Sequence, residues 1–313
     1  MTYYRFLIPH LVWLGWLLCP LWGLHAQELP HGFPRTDKQK LALLNDWEFF
    51  LDGPQDGFLE RAPQDADWEE VSLPHSLELA STSLNDSPDD EYQLSFHRGI
   101  GWYKRQINPS LKPGQKVFLE FEGAHQVTKL WVNGKYVGEH AVGGYTPFHF
   151  DLTEFIDGQR TQQELVLSVD NRRNPNIPPE GDRYDYVKWG GLYREVYLVV
   201  TDPLRITFPW ENTFAGVYLT TPTVTPQHAT LSIRTQVINE STQSVAAKVV
   251  QRVMDAQGRV LLNLTQERNI LPGQKEVFAQ TGGLTGDLNL WSPASPYLYR
   301  VNTTVYREGK PVD

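Results

Sequence analysis

The chain has 313 residues and a formal net charge of −9, from 28 Lys and Arg against 37 Asp and Glu. Hydrophobic residues make up 40% of it and charged residues 21%, a balance that permits a packed core and argues against disorder. The acidic balance, without a basic stripe, excludes nucleic acid as an expected partner. Aromatic residues reach 12%, with ten Trp, which favours β-strands.

The first 26 residues are typical of a signal peptide. Arg5 precedes an apolar run from Leu11 to Leu24 that is short for a membrane span, and Ala26 fits a signal-peptidase site. The sequence therefore predicts a secreted or periplasmic protein with no membrane attachment after cleavage; an uncleaved anchor is the alternative. Cys19, the only cysteine, lies in this segment, so the mature chain would have no disulfide.

The stretch from Val117 to Leu152 predicts an antiparallel meander. Val117 to Phe121 and Val127 to Val132 alternate in the manner of half-buried strands. Asn133-Gly134 supplies the positive φ angles of a two-residue type I′ hairpin, and Lys135 to Val142 forms the returning strand. We expect consecutive strands of this stretch to pair with one another.

After Asp202-Pro203 the pattern changes to short alternating strands separated by turns. Asn239-Glu240-Ser241 is interpreted as a hairpin turn between two of them. Short strands with regular turn signals predict an immunoglobulin-like sandwich, and no long amphipathic helical pattern occurs, so the whole chain is predicted to be all-β. The predicted strands are Gly216 to Leu219, Ala229 to Ile238, Ala246 to Asp255 and Arg259 to Thr265.

Two long hydrophilic segments are candidate binding loops. Ser76 to Phe96 contains an acidic cluster from Asp86 to Glu91, which could hold a cation or form a solvated surface loop; the spacing of an EF-hand is missing. Arg172 to Lys188 contains several prolines, which cannot donate to a β-ladder. Structureless loops of this length in compact domains are usually functional or disordered.

Several ordered motifs resemble the N-terminal sugar-binding part of glycoside hydrolase family 2, most closely its β-galactosidases. They include LWVNGKYVGEHAVGGYTPFHFDLTEFI at Leu130 to Ile156, RGIGWYKR at Arg98 to Arg105, DNRRNPNIPP at Asp170 to Pro179 and KWGGLYREVYL at Lys188 to Leu198. The resemblance implies a jelly-roll (galactose-binding-like) β-sandwich over residues 27–203. It implies an immunoglobulin-like domain over residues 204–313, which we expect to be truncated at its C-terminus.

The resemblance also implies a function. The chain would be the non-catalytic N-terminal portion of an exported retaining β-glycosidase acting on terminal β-galactosides or related glycosides. In this family both catalytic glutamates come from a (β/α)8 barrel that this chain lacks, so we expect no catalytic residue, metal or cofactor here, and whether this chain is itself an enzyme stays open. The alternative is a stand-alone carbohydrate-binding or interaction module without hydrolytic activity. The choice of sugar and the formation of a homo-oligomer by a full-length enzyme stay open.

Asp185 is the candidate substrate-binding residue. In the family an aspartate at this spacing before the Gly-rich strand start, here Gly190-Gly191, reaches the active site and accepts hydrogen bonds from sugar hydroxyls. Tyr186 and Trp189 are weaker candidates for lining a sugar subsite, and Asp182 is the competing aspartate. Asn239-Glu240 superficially resembles the Asn-Glu of the family's acid/base motif, but its place between two strands favours the turn interpretation.

Overall fold

The computed structural model describes residues 34–52, 62, 66–77, 99–172, 174–178 and 189–313 of the chain. The described residues belong to one compact unit, Pro34–Asp313, and the fold is nearly all β, as the sequence predicted. The predicted signal peptide and the acidic cluster from Asp86 to Glu91 lie outside the described residues.

The first sandwich consists of two antiparallel sheets. One sheet has the strand order β1-β10-β5-β8, and the other has the order β3-β2-β4-β9-β6-β7. The strands are β1 (Gln39–Ala42), β2 (Trp47–Asp52), β3 (Glu69–Val71), β4 (Ile100–Ile107), β5 (Lys116–Phe121), β6 (Val127–Val132), β7 (Lys135–His140), β8 (Phe148–Asp151), β9 (Gln163–Asp170) and β10 (Val196–Thr201). A 3-10 turn at Thr153–Phe155 follows β8.

The second sandwich also pairs two antiparallel sheets. One contains β11, β12 and β16 around the central β13, and the other has the order β15-β14-β17-β18. The strands are β11 (Leu204–Ile206), β12 (Val217–Val224), β13 (His228–Asn239), β14 (Val245–Met254), β15 (Val260–Ile270), β16 (Lys275–Thr285), β17 (Arg300–Arg307) and β18 (Lys310–Pro311).

The predicted type I′ hairpin is confirmed, but the predicted meander around it is wrong. Asn133 and Gly134 have φ angles of 51° and 76°, and they join β6 to β7. β5, however, pairs with β8 and β10 in one sheet, whereas β6 pairs with β7 and β9 in the other. The chain crosses between the sheets after Phe121, because both sheets need an apolar strand to cover the same core.

The interpretation of Asn239-Glu240-Ser241 as a hairpin turn is also wrong. β13 and β14 lie in different sheets, so this segment crosses the second sandwich. Asn239 is fully buried, and its side-chain amide donates to the carbonyl oxygens of Gln243 and Ile270 at 2.7 and 2.9 Å. A buried carboxamide that satisfies backbone acceptors in this way stabilises a crossing that has no ladder of its own.

The core of the first sandwich follows from the alternation of its strands. In β6, Leu130 and Val132 are buried against the opposite sheet, whereas Lys129 and Trp131 alternate with them and are partly exposed. Six aromatic side chains join the same continuous cluster. They are Trp47, Phe49, Tyr103, Phe121, Phe148 and Phe150.

Buried polar contacts join the two sandwiches. The Arg205 guanidinium, on a side chain that is 4% exposed, lies 4.5 Å from the ring centroid of Phe118. It also bonds to Glu240 at 2.8 Å and to Glu211 at 3.3 Å. Nearby, the indole N–H of Trp210 donates to Nδ1 of His149 on β8 at 3.0 Å. The Arg205–Phe118 contact and the Trp210–His149 hydrogen bond therefore join the sandwiches, and the two glutamates hold the Arg205 side chain from within the second sandwich.

Candidate functional site

The ends of both predicted binding loops meet at one edge of the first sandwich. The first segment lies between Leu77 and Gly99, and the second lies between Asn171, directly after β9, and Gly190. The Leu77 N–H donates to the Gly190 carbonyl at 3.2 Å. The Gly99 N–H donates to Oδ1 of Asn171 at 2.8 Å, and the Asn171 N–H donates back to the Gly99 carbonyl at 3.1 Å. We call these four residues the loop junction.

Local sequence explains why the loop junction closes so tightly. Ile100 pairs with Asp170 across β4 and β9, so their neighbours Gly99 and Asn171 leave the ladder side by side. A Cβ atom on Gly190 would lie 2.4 Å from Nδ2 of Asn171, a separation that only glycine avoids. Gly191 has φ +90° and forms a β-bridge with His125. The Gly-Gly pair is therefore required by a close approach and by a left-handed backbone.

A hydrogen-bonded pair, the buried Tyr103 and the partly buried His75, supports the loop junction from the core side. The Tyr103 hydroxyl lies 3.0 Å from Nδ1 of His75, and the Leu192 N–H approaches the same oxygen at 3.5 Å. The backbone N–H of His75 donates to the backbone carbonyl of Leu192 at 2.8 Å. Burial lowers the pKa of His75, against the opposing effect of the Glu69 carboxylate, and this favours the neutral imidazole.

A charge pair continues the loop junction beyond β9. Arg172 binds Asp170 through both ends of its guanidinium, with contacts of 2.6, 2.9 and 3.0 Å. The hydrogen bond to Asp170 raises the pKa of Arg172. Such a bidentate pair fixes the direction in which the chain leaves the strand, in addition to its modest energetic contribution.

The structure places one of the three candidate sugar-binding residues. Trp189 precedes Gly190 directly, and its side chain is 46% exposed. Asp185 and Tyr186 lie outside the described residues, as does the competing Asp182. Their roles therefore stay predictions, although both ends of the segment that carries them are fixed by the loop junction.

Sequence reasoning missed Asn171 and Tyr103. Asn171 is the second residue of the DNRRNPNIPP motif that carried part of the resemblance, yet its contact with Gly99 spans 72 residues of sequence. Tyr103 stands at an inward position of β4, where the pattern predicts only a core residue. A buried Asn directly after a strand is the one available signal, because a side-chain amide there must find a partner.

The chemistry of the loop junction is positioning. Its four residues contribute backbone amides and one carboxamide, which anchor polypeptide but cannot protonate a glycosidic oxygen. Across the described ranges, no group of three or more His, Cys, Asp or Glu is arranged to hold a metal ion. The described part of the chain also contains no helix long and apolar enough to cross a bilayer.

Glu240 shows a structural role. Its carboxylate binds the buried Arg205, and the guanidinium of Arg205 in turn lies over Phe118 of the first sandwich. The structure therefore supports a structural role for Asn239-Glu240 rather than a catalytic one. The segment is a crossing between the two sheets and not the hairpin turn that the sequence predicted.

Comparison with known proteins identifies relatives over most of the chain. Residues 51–203 match "Glycosyl hydrolases family 2, sugar binding domain", and residues 214–313 match "Glycosyl hydrolases family 2". A β-galactosidase of Thermoanaerobacter pseudethanolicus is 31% identical over 80% of this chain and 31% of its own length. A β-glucuronidase of Bacteroides fragilis is 27% identical over 93% of this chain and 37% of its own length.

The solved structures give the same result. The crystal structure of a Bacteroides uniformis β-glucuronidase superimposes with a TM-score of 0.71 and 27% identity, covering 88% of this chain and 31% of that one. The chain thus spans about a third of the length of the curated relatives it matches. Its two sandwiches, their strand patterns and both family matches agree, and the chain belongs to glycosyl hydrolase family 2.

Proposed function

We propose that this chain is the N-terminal, non-catalytic part of an exported β-glycosidase that acts on terminal β-galactosides or related glycosides. Residues 27–203 and 204–313 are its proposed domains. The loop junction is the observation that carries the proposal. It ties the ends of two long segments, one of them containing Asp185, to a single edge of a sandwich. We propose that both segments contribute to one ligand site.

Asp185 is the proposed substrate-binding residue. An ionised carboxylate accepts two charge-assisted hydrogen bonds from vicinal hydroxyls, which sugars offer in a fixed geometry. Trp189, at the root of the same segment, has the exposed indole face that such a subsite needs. Tyr186 would line the subsite beside it.

Turnover requires groups that we assign to another part of the protein. A retaining glycosidase uses two carboxyl groups about 5–5.5 Å apart, one as acid/base and one as nucleophile. In the family a barrel supplies both. The first experiment is to sequence beyond codon 313. An open frame that encodes a barrel with two glutamates supports the glycosidase, and a stop codon supports the alternative of a carbohydrate-binding module.

The activity test compares two neighbouring aspartates in the full-length enzyme. Asp185→Ala should lower kcat/KM on p-nitrophenyl β-galactoside about ten- to hundredfold, because a hydrogen bond to a charged group contributes roughly 1.5–3 kcal/mol. Asp182→Ala is the matched control and should change kcat/KM far less. If Asp182→Ala abolished activity while Asp185→Ala kept full activity, the proposed role of Asp185 would be wrong and Asp182 would be the substrate-binding residue.

Export and substrate need separate tests. N-terminal sequencing of protein recovered outside the cytoplasm should begin near Gln27, and an intact Met1 in soluble cytoplasmic protein would contradict export. The relatives include β-galactosidases and β-glucuronidases. Turnover of p-nitrophenyl β-galactoside should therefore be compared with that of the β-glucuronide, and faster turnover of the galactoside is expected.

A further inference from the structure

The outer face of the six-stranded sheet carries a cleft that the loop junction does not use. Its volume is about 500 Å³, within the range of roughly 300–1,000 Å³ that is typical of small-molecule sites. The strands β4, β6, β7 and β9 all contribute to it. The residues used below are Trp102, Trp131, Lys129, Glu139, Asp170 and Arg172.

The sheet register explains why these side chains converge. Trp102 pairs with Ser168, and Ser168 pairs with Lys129, so the three lie in one row across β4, β9 and β6. Their neighbours along the strands, such as Tyr103 and Leu130, belong to the core cluster on the other face. The cleft is therefore built by the positions that the core does not occupy.

Two indole rings form the apolar part of the cleft. The ring centroids of Trp102 and Trp131 are 5.6 Å apart with an interplanar angle of 36°. Tyr136 packs against Trp131 at 5.6 Å and is 51% exposed. Trp131 is thus held between two aromatic neighbours while it stays partly open to solvent, which fixes the orientation of its ring.

The polar part of the cleft includes a hydrogen-bond donor without a partner. Trp102 is 2% exposed, and within the described structure its indole N–H makes no hydrogen bond. Buried polar groups nearly always have a partner, and this donor belongs to a residue that lines the cleft. An acceptor atom of a ligand would satisfy it. A hydroxyl oxygen is the simplest group that fits.

The charges of the cleft balance. Among the described residues that line it, Lys129 pairs with Glu139 at 3.5 Å and Arg172 pairs with Asp170 at 2.6 Å, which gives two positive and two negative groups. A neutral lining with many polar groups disfavours an anionic ligand and a purely apolar peptide alike. It suits a neutral ligand that has an apolar face and several hydroxyls, which describes a pyranose ring.

We propose that this cleft binds neutral saccharide chains, as a carbohydrate site separate from the segment that carries Asp185. The choice of carbohydrate rests partly on the proposed function, whereas the position and the neutral selectivity rest on the cleft alone. A C–H face of the sugar lies on Trp131, and a hydroxyl oxygen accepts the hydrogen bond from the Trp102 N–H. The site would hold a glycan near the enzyme without taking part in its cleavage.

The test titrates the 313-residue chain with β-1,4-galactotetraose and, separately, with tetragalacturonate. Binding is followed by calorimetry and by the indole N–H resonances, with the Trp102 signal assigned by its loss in Trp102→Phe. The neutral tetrasaccharide should bind in the millimolar range or more tightly and shift the Trp102 signal. Trp131→Ala should weaken binding at least tenfold, and Trp131→Phe should weaken it less.

Trp291→Ala is the matched control, because this tryptophan is 59% exposed and lies on the second sandwich. Unchanged binding in the control, with thermal unfolding of Trp131→Ala close to that of the parent, supports the proposal. No detectable binding, binding that Trp131→Ala leaves unchanged, or preference for tetragalacturonate would overturn it. Sugar binding by the chain and hydrolysis by the full-length enzyme are measured separately, so a failure of either proposal is distinguishable.

Discussion

The two sandwiches have the same class of fold but different cores. The first contains one continuous hydrophobic cluster in which six aromatic side chains take part. The second has two separate clusters within the described residues, and Phe278 is their one fully buried aromatic side chain. Aromatic side chains bury about 150–250 Å² each and dominate core energetics. The first sandwich is therefore expected to be the more stable of the two.

The second sandwich compensates with polar contacts in its interior. Gln251 is fully buried; its amide donates to the Thr235 hydroxyl at 2.8 Å, and its carbonyl oxygen accepts from the Thr303 hydroxyl at 2.6 Å. A hydrogen bond of this kind contributes a net free energy of only about 0.5–1.5 kcal/mol. The comparison teaches that strand pattern and turn chemistry are enough to specify a sandwich, whereas the resistance of each sandwich to unfolding depends on what fills it.

Removing Phe278 is the most direct way to sharpen this difference. Phe278→Ala should lower the free energy of unfolding by about 3–5 kcal/mol, since it leaves a cavity in a small cluster. Hydrogen exchange followed by mass spectrometry should then show faster exchange in β13 and β14, with β4 and β9 unchanged. The matched variant in the first sandwich is Phe121→Ala, for which the faster exchange should appear in β4 and β9 instead. If Phe278→Ala accelerates exchange in both sandwiches equally, they unfold as one unit and the comparison fails.

The second prediction concerns the contact between the sandwiches. Arg205→Met would leave the carboxylates of Glu211 and Glu240 without their buried partner, although Glu211 keeps Lys275 at 2.6 Å. Breaking a buried ion pair typically costs about 3–5 kcal/mol, and we expect about 3 kcal/mol here. Thermal unfolding measures the loss.

The pKa of Glu211 provides an independent readout of the same change. Burial alone would raise this pKa, but the hydrogen bond from Lys275 and the charge of Arg205 together lower it. In Arg205→Met the pKa of Glu211 should rise, as measured by NMR titration. Arg205→Lys is the control that keeps the charge without the two-pronged geometry. An unchanged Glu211 pKa would contradict the assigned contact.

The third prediction uses His149, whose pKa is lowered from 6.5 to about 4, chiefly by burial. Because Trp210 donates to its Nδ1, the bond requires the neutral imidazole. Between pH 6.5 and 4 the unfolded chain binds a proton that the folded chain does not, so stability is full above pH 6.5 and falls as the pH falls. The loss should reach about 2–3 kcal/mol near pH 4.

The control for this prediction is His149→Gln, which retains a hydrogen-bond acceptor but does not titrate. Thermal unfolding of both proteins across pH 4–7 should show a shallower decline in the variant. Parallel curves would mean that other groups, and not His149, determine the acid sensitivity of this contact.

The sequence predicted the strands well and their partners poorly. Val127 to Val132 was predicted and found as β6, and the turn predicted at Asn133-Gly134 joins β6 to β7. Alternation shows which face of a strand is buried, but both sheets of a sandwich present the same pattern to one core. The sheet to which β5 belongs is therefore decided by long-range pairing that no local pattern records.

The same limit applies to the candidate site. The sequence identified both long loops from their polarity and prolines, and it named Trp189, Asp185 and Tyr186 from the resemblance. It could not show that the loop ends meet, because that depends on a contact between Asn171 and Gly99, 72 residues apart. Nor could it show the cleft beside Trp131. The cleft is formed by side chains on the outer face of the sheet, and the alternating pattern predicts only that such side chains are exposed to solvent.

The smallest expected effect tests whether the loop junction behaves as one unit. Asn171 is 7% exposed, and Asn171→Ala removes the acceptor for the buried Gly99 N–H, at a cost of about 1–3 kcal/mol. Global unfolding should therefore change less than with Phe278→Ala, while the amides of Leu77 and Gly99 lose protection together. The control is Asn174→Ala, which removes a side-chain oxygen that accepts from the N–H of the neighbouring Asn176, and it should leave both amides protected. If Gly99 alone loses protection, the two segments are anchored independently. A shared presentation of both segments to one sugar would then lose its structural basis.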